Sequence, residues 1–114
     1  MAPEFISGYE FGKIIIENKT YTSDLIILGT KVKPKWWRKS GHNLVKDDLK
    51  EVVEYRPETL IIGTGAYGMM TISADLSKNL DFEILSYPTK EAVEKYNQEI
   101  KREKNIAGGF HLTC

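Results

Sequence analysis

One cysteine in 114 residues, Cys114, leaves no partner for an internal disulfide. A lone thiol suits a reducing compartment, so a cytoplasmic location is expected. Net charge is missing too, because 16 Lys and Arg stand against 16 Asp and Glu. Proteins that follow nucleic acid or an anionic bilayer accumulate cations, so neither partner is expected. Long apolar runs are absent. The longest, residues 14–16 and 25–28, fall far short of the ~20 residues that span a membrane. The sequence opens Met-Ala-Pro-Glu, without a basic segment leading into an apolar one, and no secretory signal is expected. His42, His111 and Cys114 lack close ligand spacing such as C-x-x-C, and residues 111 and 114, three apart on an expected strand, should face opposite ways. No metal and no cofactor are therefore expected.

What is present is ordinary globular material. Hydrophobic residues make up 41% of the chain, enough for a core in one domain of this length, and residues 1–114 are read as a single domain. Residues 11–16 and 21–28 read as two strands of a hairpin around the polar turn 17–20. Residues 31–35 carry three lysines and Pro34, which suits an edge strand or an extended loop. A helix is expected over 47–55, with Leu49, Val52 and Val53 inward and Asp47 and Asp48 on a solvated first turn. Pro57 stops it.

From there strands and helices alternate. Residues 59–62 form a short buried strand, and 74–80 a short helix capped by Ser73. Residues 82–85 form another strand, a long helix follows Pro88 and its cap Thr89 and ends at Asn105, and 106–113 form the last strand. Ala92, Val93, Tyr96 and Ile100 recur at helical spacing. The expected fold is an α/β, three-layer domain. Its sheet is mixed, with an N-terminal antiparallel hairpin and right-handed βαβ crossovers in the second half.

Several features bear on function. Gly63, Thr64 and Gly65 open a G-x-G-x-x-G stretch directly after a buried strand, where backbone N–H groups could meet a phosphate. The acidic residue expected after the next strand of a dinucleotide fold is missing, since Ser86 and Tyr87 stand there. A plain turn at the carboxyl end of a strand is the competing reading. Thr89 and Asn97 are candidate side-chain contacts for a small anionic ligand at that loop, although Asn97 also suits a purely structural bond. Lys31, Lys33, Lys35, Trp36, Trp37, Arg38 and Lys39 combine cations with two indoles. With no net charge to support RNA binding, this reads as a lysine-guarded edge, with one Trp turned in and the other free for a protein partner. Trp36, Trp37 and Arg38 are the candidate interface. Asp24 opens an apolar run and needs partners, and a turn cap is the expected use.

The order Leu60-Ile61-Ile62-Gly63-Thr64-Gly65, then Thr89-x-x-Ala92-x-x-x-Tyr96-Asn97, then Phe110-His111-Leu112-Thr113-Cys114, with Asp24 and the tryptophans before His42, resembles a known domain family. It is shared by the human adipogenesis-associated protein, mitochondrial respiratory complex I assembly factor three, and small archaeal and bacterial proteins. The resemblance spans nearly the whole chain. It implies a compact three-layer α/β domain, no established activity or cofactor, and protein binding in one mitochondrial branch. Complex I assembly itself is not carried over. With no convincing catalytic constellation, the expected function is a non-enzymatic binding or assembly module with a protein partner. The alternative is a small-molecule (anion or nucleotide-like) binding protein or enzyme at the Gly63-Thr64-Gly65 loop.

Overall fold

The computed structural model describes residues 4–114 apart from 41, 75, 77, 79, 103 and 104. Its centre is a five-stranded mixed sheet. In chain order the strands of the molecule are β1 (Ile6–Glu10), β2 (Lys13–Ile16), β3 (Lys19–Tyr21), β4 (Leu25–Leu28), β5 (Lys31–Pro34), β6 (Asn43–Leu44), β7 (Thr59–Thr64), β8 (Thr71–Ile72), β9 (Glu83–Tyr87) and β10 (Ile106–His111). The helices are α1 (Lys50–Tyr55), preceded by a 3-10 turn over Lys46–Leu49, and α2 (Thr89–Lys101). The central sheet runs β5-β4-β10-β7-β9. β10 pairs parallel to β7 and antiparallel to β4, and β7 pairs parallel to β9. All three parallel strands therefore end on one edge, next to residues 64, 87 and 111.

The expected three-layer α/β fold with a mixed sheet is what the chain adopts. α2 and the separate sheet β1-β2-β3 cover one face, packing Ile14, Ile16, Leu25, Ile27, Ile61, Tyr96 and Phe110 together. α1 and the small pair β6-β8 cover the other, over Ile26, Leu44, Leu49, Val52, Leu60, Ile62 and Ala107. Each fully buried Ile or Leu contributes about 1.5–3 kcal/mol relative to exposure, which makes these two layers the main stabilising term. Tyr96 sets its ring edge-on to Phe110 at 5.7 Å and donates its hydroxyl to the Gly29 carbonyl at 2.6 Å. Burial pushes its phenol pKa up. Gly108 makes room for this packing, since a Cβ there would stand 2.9 Å from the Tyr96 ring. No described helix is long and apolar enough to cross a membrane.

Several element boundaries differ from the sequence expectation. The hairpin does not join 11–16 to 21–28: β1 lies before it, Gly12 is in the turn, and β2 pairs with β1 and β3. β3 stops at Tyr21 and β4 joins the central sheet, because Ser23 and Asp24 spend their polar groups on other segments. The helix expected at 47–55 opens as a 3-10 turn. Asp48 is buried there rather than solvated, accepting the N–H of Lys39 at 3.0 Å and of Val45 at 3.1 Å. Arg56 takes a left-handed conformation, φ 56°, that ends α1 ahead of Pro57. The helix expected after Ser73 falls partly on residues outside the described set, and its described residues 74, 76 and 78 form turns. Pro88, not Thr89, caps α2.

Asn97 clamps the front sheet onto α2. Its Oδ1 accepts the Ile6 N–H and its Nδ2 donates to the Ile6 carbonyl, both at 2.9 Å. Replacing Asn97 with Ala should leave two buried backbone groups unpaired and cost about 1–3 kcal/mol. Urea denaturation checks this, and an unchanged midpoint would show that the clamp carries no weight.

Candidate functional site

The carboxyl edge of the parallel strands gathers residues that the sequence keeps far apart. Asp24, just ahead of β4, sits beside the end of β10. Its Oδ1 accepts the Leu112 N–H at 2.8 Å, while Oδ2 lies 2.7 Å from both Arg38 Nη2 and His111 Nδ1. Burial alone would push the Asp24 carboxyl up. The hydrogen bonds from His111, the Leu112 amide and Arg38 outweigh it and hold the group below its ordinary value. The carboxylate is thus ionised and can only accept, so an N–H at His111 Nδ1 is what meets it. His111 Nε2 is sealed from solvent without a hydrogen-bond partner among the described residues, and the His111 side chain is 8% exposed.

Arg38 is held from two sides. Its guanidinium carbon stands 4.7 Å over the Trp36 ring while the fork reaches Asp24. Trp36 in turn donates Nε1–H to the Asp48 carbonyl at 2.9 Å. The candidate interface of Trp36, Trp37 and Arg38 therefore divides. Arg38, 5% exposed at its side chain, and Trp36 turn inward, and Trp37 alone, 74% exposed, offers surface. The reason is the partly buried Asp24 carboxylate, which draws the guanidinium in.

His42 and Cys114 complete the edge. The His42 ring meets the His111 ring edge-on at 6.0 Å, and Cys114 Sγ lies 3.8 Å from His42 Nε2. The expectation that His111 and Cys114 point apart fails because β10 ends at His111, so strand alternation does not extend to Cys114. Among the described residues, no group of three or more His, Cys, Asp or Glu is placed to hold a metal ion.

The glycine loop plays a different part from a phosphate cradle. Gly65 has φ 109° and donates its N–H to Thr89 Oγ1 at 2.8 Å, and that hydroxyl donates to the His111 carbonyl at 2.6 Å. Ala66 N–H goes to the Thr113 carbonyl at 2.6 Å, Met69 N–H to the Cys114 carbonyl at 3.2 Å, and Gly68 N–H to the Gly65 carbonyl at 3.2 Å. Gly63 is still within β7, and the Thr64 hydroxyl donates to the Tyr87 carbonyl. Of the candidate ligand contacts, Gly63, Thr64, Gly65 and Thr89 come together, but the Thr64 and Thr89 hydroxyls and the Gly65 N–H are spent inside the chain. Asn97 lies two turns further along α2, roughly 12 Å at 1.5 Å per residue, and is engaged with Ile6.

Sequence reasoning missed Tyr9, whose hydroxyl donates to the Leu112 carbonyl at 2.8 Å and whose pKa burial pushes up. It also missed an apolar patch. Phe11, Tyr67 and Met69 are each more than half exposed, and the Phe11 and Tyr67 rings are 6.1 Å apart. The signal was available, since a strand turn and a glycine-rich loop are places for polar residues.

The family described as Protein of unknown function (DUF498/DUF598) matches residues 6–111. The chain belongs to this family. Solved relatives agree with the fold over nearly their full length. A protein named MT938 is 28% identical with a TM-score of 0.82, over 97% of this chain and 99% of that one. A conserved hypothetical protein from Pyrococcus horikoshii OT3 is 26% identical with a TM-score of 0.81, over 96% and 98%. An outer membrane protein from Bartonella henselae, at 16% identity and TM-score 0.82 over 99% and 98%, shares the fold alone. The family resemblance read from the sequence holds, and the family carries no assigned activity.

Proposed function

We propose that this family member is a non-enzymatic binding module of the cytoplasm, possessing one protein-contact face at the carboxyl edge of its parallel strands. The observation that carries this is the patch of Phe11, Tyr67 and Met69. Large apolar side chains clustered in surface loops are costly to leave in water and mark contact sites. They stand on firm ground, because the loop of Tyr67 and Met69 is tied to residues 113 and 114, and the Gly12 N–H beside Phe11 donates to the Leu112 carbonyl at 2.8 Å. An assembly role follows if the partner is one subunit of a larger complex. A small anionic ligand at Gly63, Thr64 and Gly65 is the weaker reading, since Gly65 N–H and its neighbours are already bonded.

A photo-crosslinking side chain at position 67, in cells of the source organism, tests the face. The expected result is a discrete protein adduct that disappears when Phe11 and Met69 are both changed to Ser. Labelling no different from that at exposed Lys90, on α2, would remove the reading.

A further inference from the structure

We propose that Cys114, His42 and His111 form a thiol-exchange site whose substrate class is a low-molecular-weight disulfide. Three observations converge. Cys114 is exposed, and its Sγ lies 3.8 Å from His42 Nε2, so the imidazole can take the thiol proton. The thiolate is the nucleophilic form of cysteine. The backbone around it is fixed, because Ala66 and Met69 donate to the carbonyls of Thr113 and Cys114. Holding a nucleophile in place is what turns proximity into rate. Beyond His42 stands the third element. The His111 ring, more than nine-tenths buried, leaves Nε2 without a hydrogen-bond partner among the described residues while Nδ1 donates to Asp24. His42 rests edge-on against that ring.

The step balances without an outside oxidant. His42 accepts the proton of Cys114, and the thiolate attacks one sulfur of R–S–S–R. The Cys114–S–S–R bond forms as the old S–S bond breaks, and the departing R–S⁻ takes the proton back from His42. A free thiol reverses the exchange by the same route. Nothing in this chemistry requires a partner on Phe11, Tyr67 and Met69, so it stands or falls apart from the proposed contact face.

The test uses the purified chain, in which every thiol signal comes from Cys114 because it is the only cysteine. Glutathione disulfide and the aromatic disulfide dithiobis(nitrobenzoate) serve as probes at pH 7. The expected results are a single glutathione adduct by intact mass, none with Cys114→Ser, and a rate that falls about tenfold or more in His42→Ala. His42 is exposed, so this variant should fold as the wild type does, and His42→Gln provides a second variant with a polar side chain of similar reach. Equal rates in wild type and both His42 variants would overturn the proposal. So would a folded chain that reacts no faster than the same chain unfolded in urea.

Discussion

Asp24→Ala should lower the stability of the domain by about 3–5 kcal/mol, the usual cost of removing one partner from a buried ion pair. The carboxylate serves three donors at once: Arg38 Nη2, His111 Nδ1 and the Leu112 N–H. Without it, a guanidinium that is 5% exposed would remain in a low-dielectric site against Trp36. For a domain of this size the melting temperature should fall by about 12 °C or more. Asp24→Asn separates charge from space. It retains one acceptor for the Leu112 amide but turns N–H groups toward Arg38 and His111, so it should recover little. The sign of the pH effect follows from the depressed folded pKa of Asp24. Its contribution is full above the ordinary carboxylate value of 3.8 and is lost as pH falls through the lower folded value. Wild type should therefore lose stability in that acid window more steeply than Asp24→Ala. Parallel acid-denaturation curves for the two would show that the ion pair contributes nothing net.

Gly65→Ala should cost about 1–3 kcal/mol and detach the segment that carries Thr113 and Cys114. At φ 109° an L side chain is strained whatever the space around it, and here the space is filled. A new Cβ would lie 2.5 Å from the Cys114 carbonyl oxygen and 2.8 Å from that of Thr113. Both atoms are backbone and cannot swing aside as a flexible side chain would. The Ala66 and Met69 amides, which donate to those two carbonyls, should then exchange faster with solvent than in wild type. Hydrogen exchange measured amide by amide checks this, and unchanged protection at residues 66 and 69 would mean that the loop does not clamp the segment.

The layout of the fold was readable where local chemistry and packing agree. Pro57 after a short apolar stripe and the spacing of Ala92, Val93 and Tyr96 placed α1 and α2. The lysines and Pro34 marked β5 as an edge, and it is one. Continuity of apolar character misled at residues 21–28, where two strands of different sheets are separated by Ser23 and Asp24. Nothing local signals that split, because its causes lie elsewhere in the chain. Ser23 serves the Lys35 amide, and Asp24 serves Leu112, 88 positions away. The same limit hid the site. Thr89 looked like a helix cap, but its hydroxyl bridges Gly65 to His111 across 24 and 22 positions. One of the two tryptophans was expected to turn inward, yet only the assembled sheet shows that Trp36 does so beneath Arg38.

The position of β10 has a consequence for how the chain is made. Its neighbours β4 and β7 emerge from the ribosome with a vacant place between them, which residues 106–111 fill much later. Until then the bonding edges of both strands and the apolar side chains of Leu25, Ile27 and Ile61 lie open to other nascent chains. Pairing that spans such sequence separation also makes folding slow. Synthesis therefore passes through a vulnerable interval that closes only with the insertion of this central strand, and holding chaperones should engage the chain before that point rather than after it.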